Sequence, residues 1–133
     1  MAVPPPIDGQ GFDGLYGLEL TECSDEVAKG RLGIRDDHRQ SGGLVHGGIY
    51  GAIADALAVR GTAAGIESLG ENKLAVGLGN HTTVLHPIES GTVHGTATRR
   101  HRGRTTWVWE VELADDAGRV CVAGRVTVSV RDR

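Results

Sequence analysis

Hydrophobic residues change their spacing twice along this chain, which divides it into three stretches. Residues 15–22 and 27–34 alternate between apolar and polar side chains, with turn residues at Ser24-Asp25 between them. Such alternation is typical of half-buried strands, so we predict a β-hairpin. From Gly48 to about Gly65 the apolar residues instead recur every three or four positions and are mostly small, which predicts a buried helix.

Alternation returns in the C-terminal half and predicts four further strands, over residues 74–85, 92–101, 105–113 and 119–130. In the first of these, His81 is expected on the same face as Gly77 and Gly79. Trp107 and Trp109 share one face of the third and are expected in the core. Two strands, one long helix and four strands form an α+β domain, an antiparallel sheet with a helix on one face.

Length and charge exclude several classes of protein. A chain of 133 residues forms one domain, here residues 1–133, with residues 1–12 as an extended lead-in. The net charge of −3 argues against a nucleic-acid-binding protein, and no apolar run approaches the roughly 18 residues that cross a membrane. The first residues lack a charged region followed by an apolar stretch, and the two cysteines form no disulfide framework, so we expect no secretory leader and a cytoplasmic protein. The 21 glycines indicate close backbone approaches within the fold.

Residues suited to chemistry cluster where the loop 35–45 meets the predicted helix. Gln40 is followed by His46-Gly47-Gly48, and Asp55 lies about two turns into the helix. The first N–H groups of a helix have no partner within it, and two glycines let a ligand reach them without meeting a Cβ. Such a helix N-terminus can bind an anion or polarise a carbonyl group.

Asp55 is an unusual residue on an otherwise apolar helix, where it shares a stripe with Gly48, Val59 and Thr62. The residues alone leave two interpretations open. In one, the carboxylate is partly exposed and forms an ion pair with Arg60 or another arginine. In the other, it acts as a nucleophile or general base on a carbonyl held at the helix N-terminus.

Several stretches together resemble the hotdog-fold acyl-CoA thioesterases, namely Gln40 and residues 44–55, 76–91 and 103–121. Within that superfamily the chain is most similar to the 4-hydroxybenzoyl-CoA thioesterases that carry Gln, His-Gly-Gly and an acidic residue. The resemblance runs from about Gln40 to the C-terminus. It implies a hotdog fold, in which an antiparallel sheet wraps around one long central helix. It also implies a dimer, or a homotetramer built from dimers, with the active site between two subunits.

The resemblance implies a role for each residue of this cluster. The amide of Gly47 polarises the thioester carbonyl, and Asp55 attacks that carbonyl or activates water. Gln40 contacts the thioester group, and His46 supports the loop.

Two positions depart from the enzymes that act on aromatic acyl groups. Those enzymes have Glu where this chain has Asp55, and Thr where it has Val59. Thr62 is the candidate to replace the missing hydroxyl. The residues expected to line the substrate are Gly48, Val59, Thr62 and His81.

A second cluster is basic and lies between two predicted strands, at residues 99–104. It is either a solvated turn or a set of arginines that bind phosphate groups. The resemblance favours the phosphates of coenzyme A, because residues matching Arg104 and Thr105 contact the nucleotide in related enzymes, and His86 matches an arginine there. The expected coenzyme A contacts are Arg102, Arg104, Thr105 and His86. Coenzyme A belongs to the substrate, so no separate cofactor is expected, and the histidines lack metal-ligand spacing.

These patterns predict a thioesterase that hydrolyses an aromatic or other small acyl-CoA to the free acid and coenzyme A. Its expected partners are this substrate and further copies of itself, not nucleic acid or a membrane. Two alternatives remain. One is a non-catalytic module that binds acyl-CoA or an acyl carrier, and the other is an acyl-CoA hydratase or dehydratase of the same fold.

Overall fold

A computed structural model describes residues 11–70 and 72–133. The elements, in chain order, are α1 (Phe12–Tyr16), β1 (Glu19–Cys23), β2 (Val27–Gly33), a 3₁₀ turn (Asp36–His38), α2 (Gly47–Ser68), β3 (Lys73–Val84), β4 (Thr92–Arg102), β5 (Thr106–Ala114) and β6 (Val120–Asp132). The predicted hairpin, long helix and four C-terminal strands are confirmed, with boundaries shifted by a few residues.

All neighbouring strands are antiparallel, in the order β1-β2-β4-β5-β6-β3. The sheet curves around α2, which contacts every strand. The α+β hotdog architecture is therefore confirmed. Because β3 follows α2 and pairs only with β6, it forms one edge of the sheet, and β1 forms the other. Edge strands leave backbone groups unpaired, so both edges are places where a second chain can add to the sheet.

Two tryptophans on β5 hold α2 against the sheet. Trp109 is fully buried and Trp107 nearly so, and they stack with ring centroids 6.5 Å apart, as expected for core residues. A Cβ on Gly61 would overlap the ring of Trp109, and a Cβ on Gly65 would lie 2.5 Å from that of Trp107. These two glycines, one turn apart, therefore let the helix approach the rings closely.

Thr62 lies in this core, so its expected role in the substrate site is wrong. Its hydroxyl donates to the carbonyl of Ala58 at 2.9 Å and accepts the indole N–H of Trp109, also at 2.9 Å. The residue is fully buried. A buried indole N–H requires an acceptor, and Thr62 supplies it.

The N-terminal boundary of the first strand was also predicted wrongly. Leu15 and Tyr16 belong to α1, and Phe12 is helical rather than part of an extended lead-in, while residues 1–10 lie outside the described part of the chain. Gly17 ends this helix in the left-handed conformation, with φ of 93°. Tyr16 is buried as alternation requires, but burial here comes from helix packing and not from a strand.

A β-bulge in β3 changes which residues face the helix. Gly77 pairs with Val128 and Gly79 pairs with Thr127, so Leu78 is an extra residue on the edge strand. Val128 is fully buried between sheet and helix, whereas Thr127 is on the opposite face. Gly77 therefore faces α2, and Gly79 faces away from it.

The bulge places His81 on the outer face of the sheet, so the prediction that it shares a face with Gly77 is wrong. His81 pairs with Arg125, whose exposed side chain forms an ion pair with Glu110 on that outer face. Asn80 takes the inner position instead. A bulge shifts side-chain alternation by one residue, and regular alternation in the sequence does not reveal it.

Candidate active site

Two histidines hold the loop before α2 in place through hydrogen bonds. His46 is the N-cap of α2, and its Nδ1 accepts the N–H of Gly48 at 2.9 Å. The N–H of His46 donates to the carbonyl of His38 at 2.7 Å. His38 is buried and its Nε2 lies 2.7 Å from the carbonyl oxygen of Tyr16. This arrangement fixes the position of the first helical amides.

Gly47 presents the first free amide of the helix. No group in residues 11–70 and 72–133 accepts its N–H, and a Cβ on Gly47 would meet nothing within 4 Å. A Cβ on Gly48, by contrast, would lie 3.0 Å from Nδ1 of His46. The N–H of Gly47 is therefore accessible to a ligand. The absence of a side chain at Gly48 leaves room for the imidazole of His46.

Gln40 lies at the start of the turn that precedes this N-terminus. Its N–H donates to the carbonyl of Leu44 at 2.7 Å, and its side-chain oxygen accepts the N–H of Gly42. Gly43 has φ of 90°, which allows the tight turn. The side chain is exposed, and within the described ranges its Nε2 has no acceptor, so it is available to donate to a ligand.

Asp55 is exposed on α2, eight residues after Gly47, which is about 12 Å along the helix axis. It faces Gly77 of β3, where a Cβ would collide with its Oδ1 and lie 3.7 Å from Val59. Among residues 11–70 and 72–133 its carboxylate has no hydrogen bond or ion pair. The interpretation that Arg60 pairs with Asp55 is wrong, because Arg60 pairs with Asp13 at 3.3 Å.

The surroundings raise the pKa of Asp55 above its ordinary value of 3.8. Partial burial contributes most, and the neighbouring carboxylate of Asp13 adds to it. The side chain is exposed to solvent on one side, while Val59 and the backbone of β3 lie on the other. A carboxylate without a partner and with a raised pKa is a stronger base than a solvated one.

Asn80 belongs to this region and sequence reasoning missed it. Its Nδ2 donates to the carbonyl of Gly51 at 2.9 Å, and its Oδ1 accepts the hydroxyl of Thr82 at 2.6 Å. The first bond joins β3 to α2 at a level between Gly47 and Asp55, and the second, within β3, fixes the Asn80 side chain. The sequence pattern does not predict the position of Asn80, because the bulge, and not the apolar-polar alternation, turns this side chain toward the helix.

Some arginines of the basic cluster at residues 99–104 form contacts within the protein, and others are exposed to solvent. Arg102 pairs with Asp25 at 2.8 Å and stacks over Trp107, 4.4 Å from the ring centroid. Arg104 and Thr105 lie exposed in the turn between β4 and β5. This turn borders a groove of about 340 Å³ at the C-terminal end of α2. Arg102 is thus already engaged within the protomer, and Arg104 is exposed.

His86 lies at the other end of the sheet from that turn. Thr106 and Val76 both pair with Ser129, so the β4–β5 turn is level with the start of β3. His86 follows the far end of β3, about 35 Å away at 3.3 Å per residue. One protomer therefore does not bring His86 together with Arg104.

In the described residues no helix is long and apolar enough to span a membrane. The same residues contain no cluster of three or more His, Cys, Asp and Glu side chains placed to hold a metal ion.

Comparisons with known proteins identify the family and agree with the fold. Residues 42–122 match the family model described as the thioesterase superfamily. A Mycobacterium tuberculosis protein named "putative esterase" is 39% identical over 115 residues, which is 86% of this chain and 82% of that protein. Its solved structure superposes with a TM-score of 0.86 at 36% identity and covers 92% of this chain and 97% of that one.

A thioesterase structure from Haemophilus influenzae has a TM-score of 0.81 at 27% identity, covering 91% of this chain and 82% of that one. The family match spans the helix N-terminus, Asp55, and β3 to β5. It therefore includes the open amide of Gly47 and the unpaired carboxylate. The chain belongs to the thioesterase superfamily and is a thioester hydrolase of the hotdog fold.

Proposed function

We propose that this protein hydrolyses acyl-CoA thioesters of aromatic or other small acyl groups to the free acid and coenzyme A. The observation that carries the proposal is the Asp55 carboxylate, which has no partner among the described residues and a raised pKa. It lies on the same helix whose N-terminus exposes the Gly47 amide. An open N–H donor and an available carboxylate are the two groups that thioester hydrolysis requires.

The Gly47 N–H donates to the thioester carbonyl oxygen and stabilises the negative charge that develops on it. The Gln40 side chain donates from the adjoining turn. Asp55 then acts by one of two routes. As a general base it takes a proton from water, whose oxygen attacks the carbonyl carbon. As a nucleophile it attacks the carbon itself and forms an anhydride, which water then hydrolyses. In both routes the C–S bond breaks, and the thiolate of coenzyme A leaves and takes up a proton.

Two protomers are needed to assemble this site. Gly47 and Asp55 are about 12 Å apart along one helix, which is too far for both to contact one carbonyl. The edge strand β3 offers an antiparallel pairing surface, and its bulge residue Leu78 is 53% exposed. Such pairing around a two-fold axis makes the two α2 helices antiparallel. The N-terminus of each helix then lies beside the middle of the other, where Asp55 is.

The same pairing supplies the proposed contacts to coenzyme A. It brings the far end of the partner's β3 to the end of the sheet where the β4–β5 turn lies. Arg104 and Thr105 of one protomer and the partner's His86 then share one end of the dimer. An exposed arginine and a hydroxyl are suited to phosphate oxygens.

The proposal is tested by following thiol release from a panel of acyl-CoA thioesters and from the matching N-acetylcysteamine thioesters, which lack the nucleotide. We expect aromatic and other small apolar acyl groups to have the highest kcat/KM, because Gly77 and Val59 give the surface beside Asp55 an apolar character. We also expect the coenzyme A thioesters to have the lower KM. Equal KM values for the two series would contradict the nucleotide contacts.

Asp55→Asn tests the catalytic carboxylate. We expect kcat to fall at least about 10²-fold, since the amide is neither a base nor a nucleophile. Glu112→Gln is the matched control, because it makes the same change on an exposed residue of β5 that points away from α2. Near-full activity of Asp55→Asn on all substrates would overturn the mechanism.

A further inference from the structure

The carboxylate of Asp13 on α1 forms an ion pair with the only cation of α2, Arg60. Arg60 is the single Lys or Arg within Gly47–Ser68. Its Nη2 lies 3.3 Å from Oδ2 of Asp13, whose side chain is 23% exposed. The other carboxylate oxygen of Asp13 accepts the hydroxyl of Tyr16 at 3.1 Å. Both oxygens of Asp13 are thus occupied, and Arg60 is directed to α1.

If Asp13 did not bind Arg60, the guanidinium would be free to approach the carboxylate of Asp55. Asp55 and Arg60 are five positions apart on α2, about 7.5 Å along the axis and about 140° around it, so an arginine side chain reaches Asp55 only when it is extended along the helix surface. The helix α1 packs against α2, and the negative charge of Asp13 on α1 contributes to the raised pKa of Asp55. The ion pair with Asp13 holds the guanidinium of Arg60 against α1.

We propose that Asp13 is a positioning residue of the thioesterase site: by holding Arg60 in an ion pair with α1, it keeps the Asp55 carboxylate free of a cationic partner. The inference rests on the proposed role of Asp55 as nucleophile or base. An arginine bound to that carboxylate would occupy its oxygens and weaken it as a base. Asp13 prevents this and also contributes a negative charge nearby.

Among residues 11–70 and 72–133, the titratable groups near Asp55 and Arg60 lie on α1, α2 and β1. From α1, Asp13 and the phenol of Tyr16 face it; burial first and Asp13 second raise the pKa of Tyr16, so this phenol stays protonated as a donor. From β3 the facing residue is Gly77, which carries no charge. On α2, Glu67 lines a groove with Arg60 but lies seven residues further along the helix. On β1, the Cys23 thiol is close enough to Arg60 that the guanidinium counteracts the rise of its pKa caused by burial.

Asp13→Asn tests this arrangement, because it removes the charge and keeps an oxygen that accepts from Tyr16. We expect kcat to fall about 10-fold with a smaller change in KM, since Arg60 is released toward Asp55. The acid limb of the kcat/KM profile should also move to lower pH. Loss of the negative Asp13 and approach of the positive Arg60 both favour the ionised form of Asp55, which lowers its pKa.

Asp13→Asn with Arg60→Gln is the decisive double variant. Without the guanidinium, Asp55 stays unpaired, so kcat should return to within about 2-fold of the single variant Arg60→Gln. Glu19→Gln is the matched control: it neutralises the carboxylate of another ion pair, with Arg31 at 2.6 Å on the first two strands, so kcat and the acid limb should not change. If Asp13→Asn does not fold, the comparison of Arg60→Gln with and without the Asp13 change still decides the question.

Two results would overturn the inference. One is an unchanged kcat and pH profile in Asp13→Asn. The other is a loss on changing Asp13 that persists when Arg60 is already Gln. Asp55→Asn, measured in parallel, separates failure of this inference from failure of the proposed function. Activity in Asp55→Asn overturns the catalytic role of Asp55. An inactive Asp55→Asn together with an unaffected Asp13→Asn overturns only the role of Asp13.

Discussion

Gly77 leaves space for the Asp55 carboxylate, the proposed nucleophile or base, because it has no side chain. It faces α2 because of the bulge at Leu78, and a Cβ there would occupy the place of the Asp55 Oδ1. Asp55 is one methylene shorter than glutamate, so its carboxylate stays close to the helix and needs this space beside β3. At the scale of single residues, the candidate site therefore depends on a glycine of β3 that leaves room for the carboxylate.

Gly77→Ala is expected to reduce kcat by about 10-fold or more, because the new methyl group displaces the carboxylate from its position. The melting temperature should change little, since the displaced atom ends a flexible side chain. Gly79→Ala is the matched control, as its Cβ would face away from α2 and lie 3.9 Å from Thr127. Steady-state kinetics and thermal melts of both variants test this. Equal activity of the two would show that Gly77 does not shape the site.

Among the other residues, sequence reasoning was most reliable where the chemistry depends on near neighbours. His46 caps the helix and Gly47 exposes its amide because both features arise within one turn of the chain. Thr62 and His81 were misplaced because their surroundings come from distant elements. Trp109 of β5 binds the Thr62 hydroxyl, and the bulge in β3 turns His81 outward.

The helix α2 carries the two central groups of the candidate site, the Gly47 amide and the Asp55 carboxylate. It is 22 residues long, with His46 as its N-cap and Gly70 beyond its end at φ of 68°. Glycine inside a helix costs roughly 1 kcal/mol relative to alanine. Gly61 and Gly65 offset that cost by admitting the two indole rings of β5, which bury large apolar surfaces.

Gly61→Ala is expected to destabilise the fold although alanine is the better helix former. The added methyl overlaps the ring of Trp109, and overpacking of this kind costs about 1–3 kcal/mol. Gly33→Ala, where a Cβ meets nothing within 4 Å, is the control and should leave stability nearly unchanged. Urea unfolding of both variants measures the difference. A Gly61→Ala variant as stable as the parent chain would contradict the close packing of α2 on β5.

For the whole molecule, the decisive feature is the separation of Gly47 from Asp55 on one rigid helix. A rigid helix does not bring its own N-terminus to its middle, so the proposed active site uses the two groups from different chains. Dimerisation through β3 would then be part of catalysis and not only a source of stability.

Mixing two inactive variants tests this assembly. Gly47→Pro removes the amide N–H, and proline is well tolerated at the first position of a helix. The preceding His46, at φ of −63° and ψ of 129°, already has the conformation that a following proline requires. We expect Gly47→Pro to lower kcat about 10²- to 10³-fold without loss of folding.

When Gly47→Pro and Asp55→Asn chains are co-refolded in equal amounts, half of the dimers are mixed and each contains one intact site. We expect about one quarter of the parent activity to return if the site is shared between protomers. A mixture that stays inactive, with mixed dimers verified by native mass spectrometry, would place each site within one chain.

The sequence by itself determined the elements and the chemistry that is local. Alternation and helical spacing predicted the hairpin, the long helix and the four strands, and Gln40, His46-Gly47-Gly48 and Asp55 identified the candidate site. These features depend on side-chain periodicity and on contacts within a turn or two, which the order of residues specifies directly.

Tertiary structure decided which side chains meet across elements. A bulge places Gly77 opposite Asp55. The Thr62 hydroxyl accepts the indole N–H of Trp109, and Arg60 pairs with Asp13, 47 positions away in sequence. Tertiary structure also separates His86 from Arg104 along the sheet. Such contacts depend on strand register and on how α1 and α2 pack, and no local pattern encodes them, because a shift of one residue in a strand reverses the face of every side chain that follows.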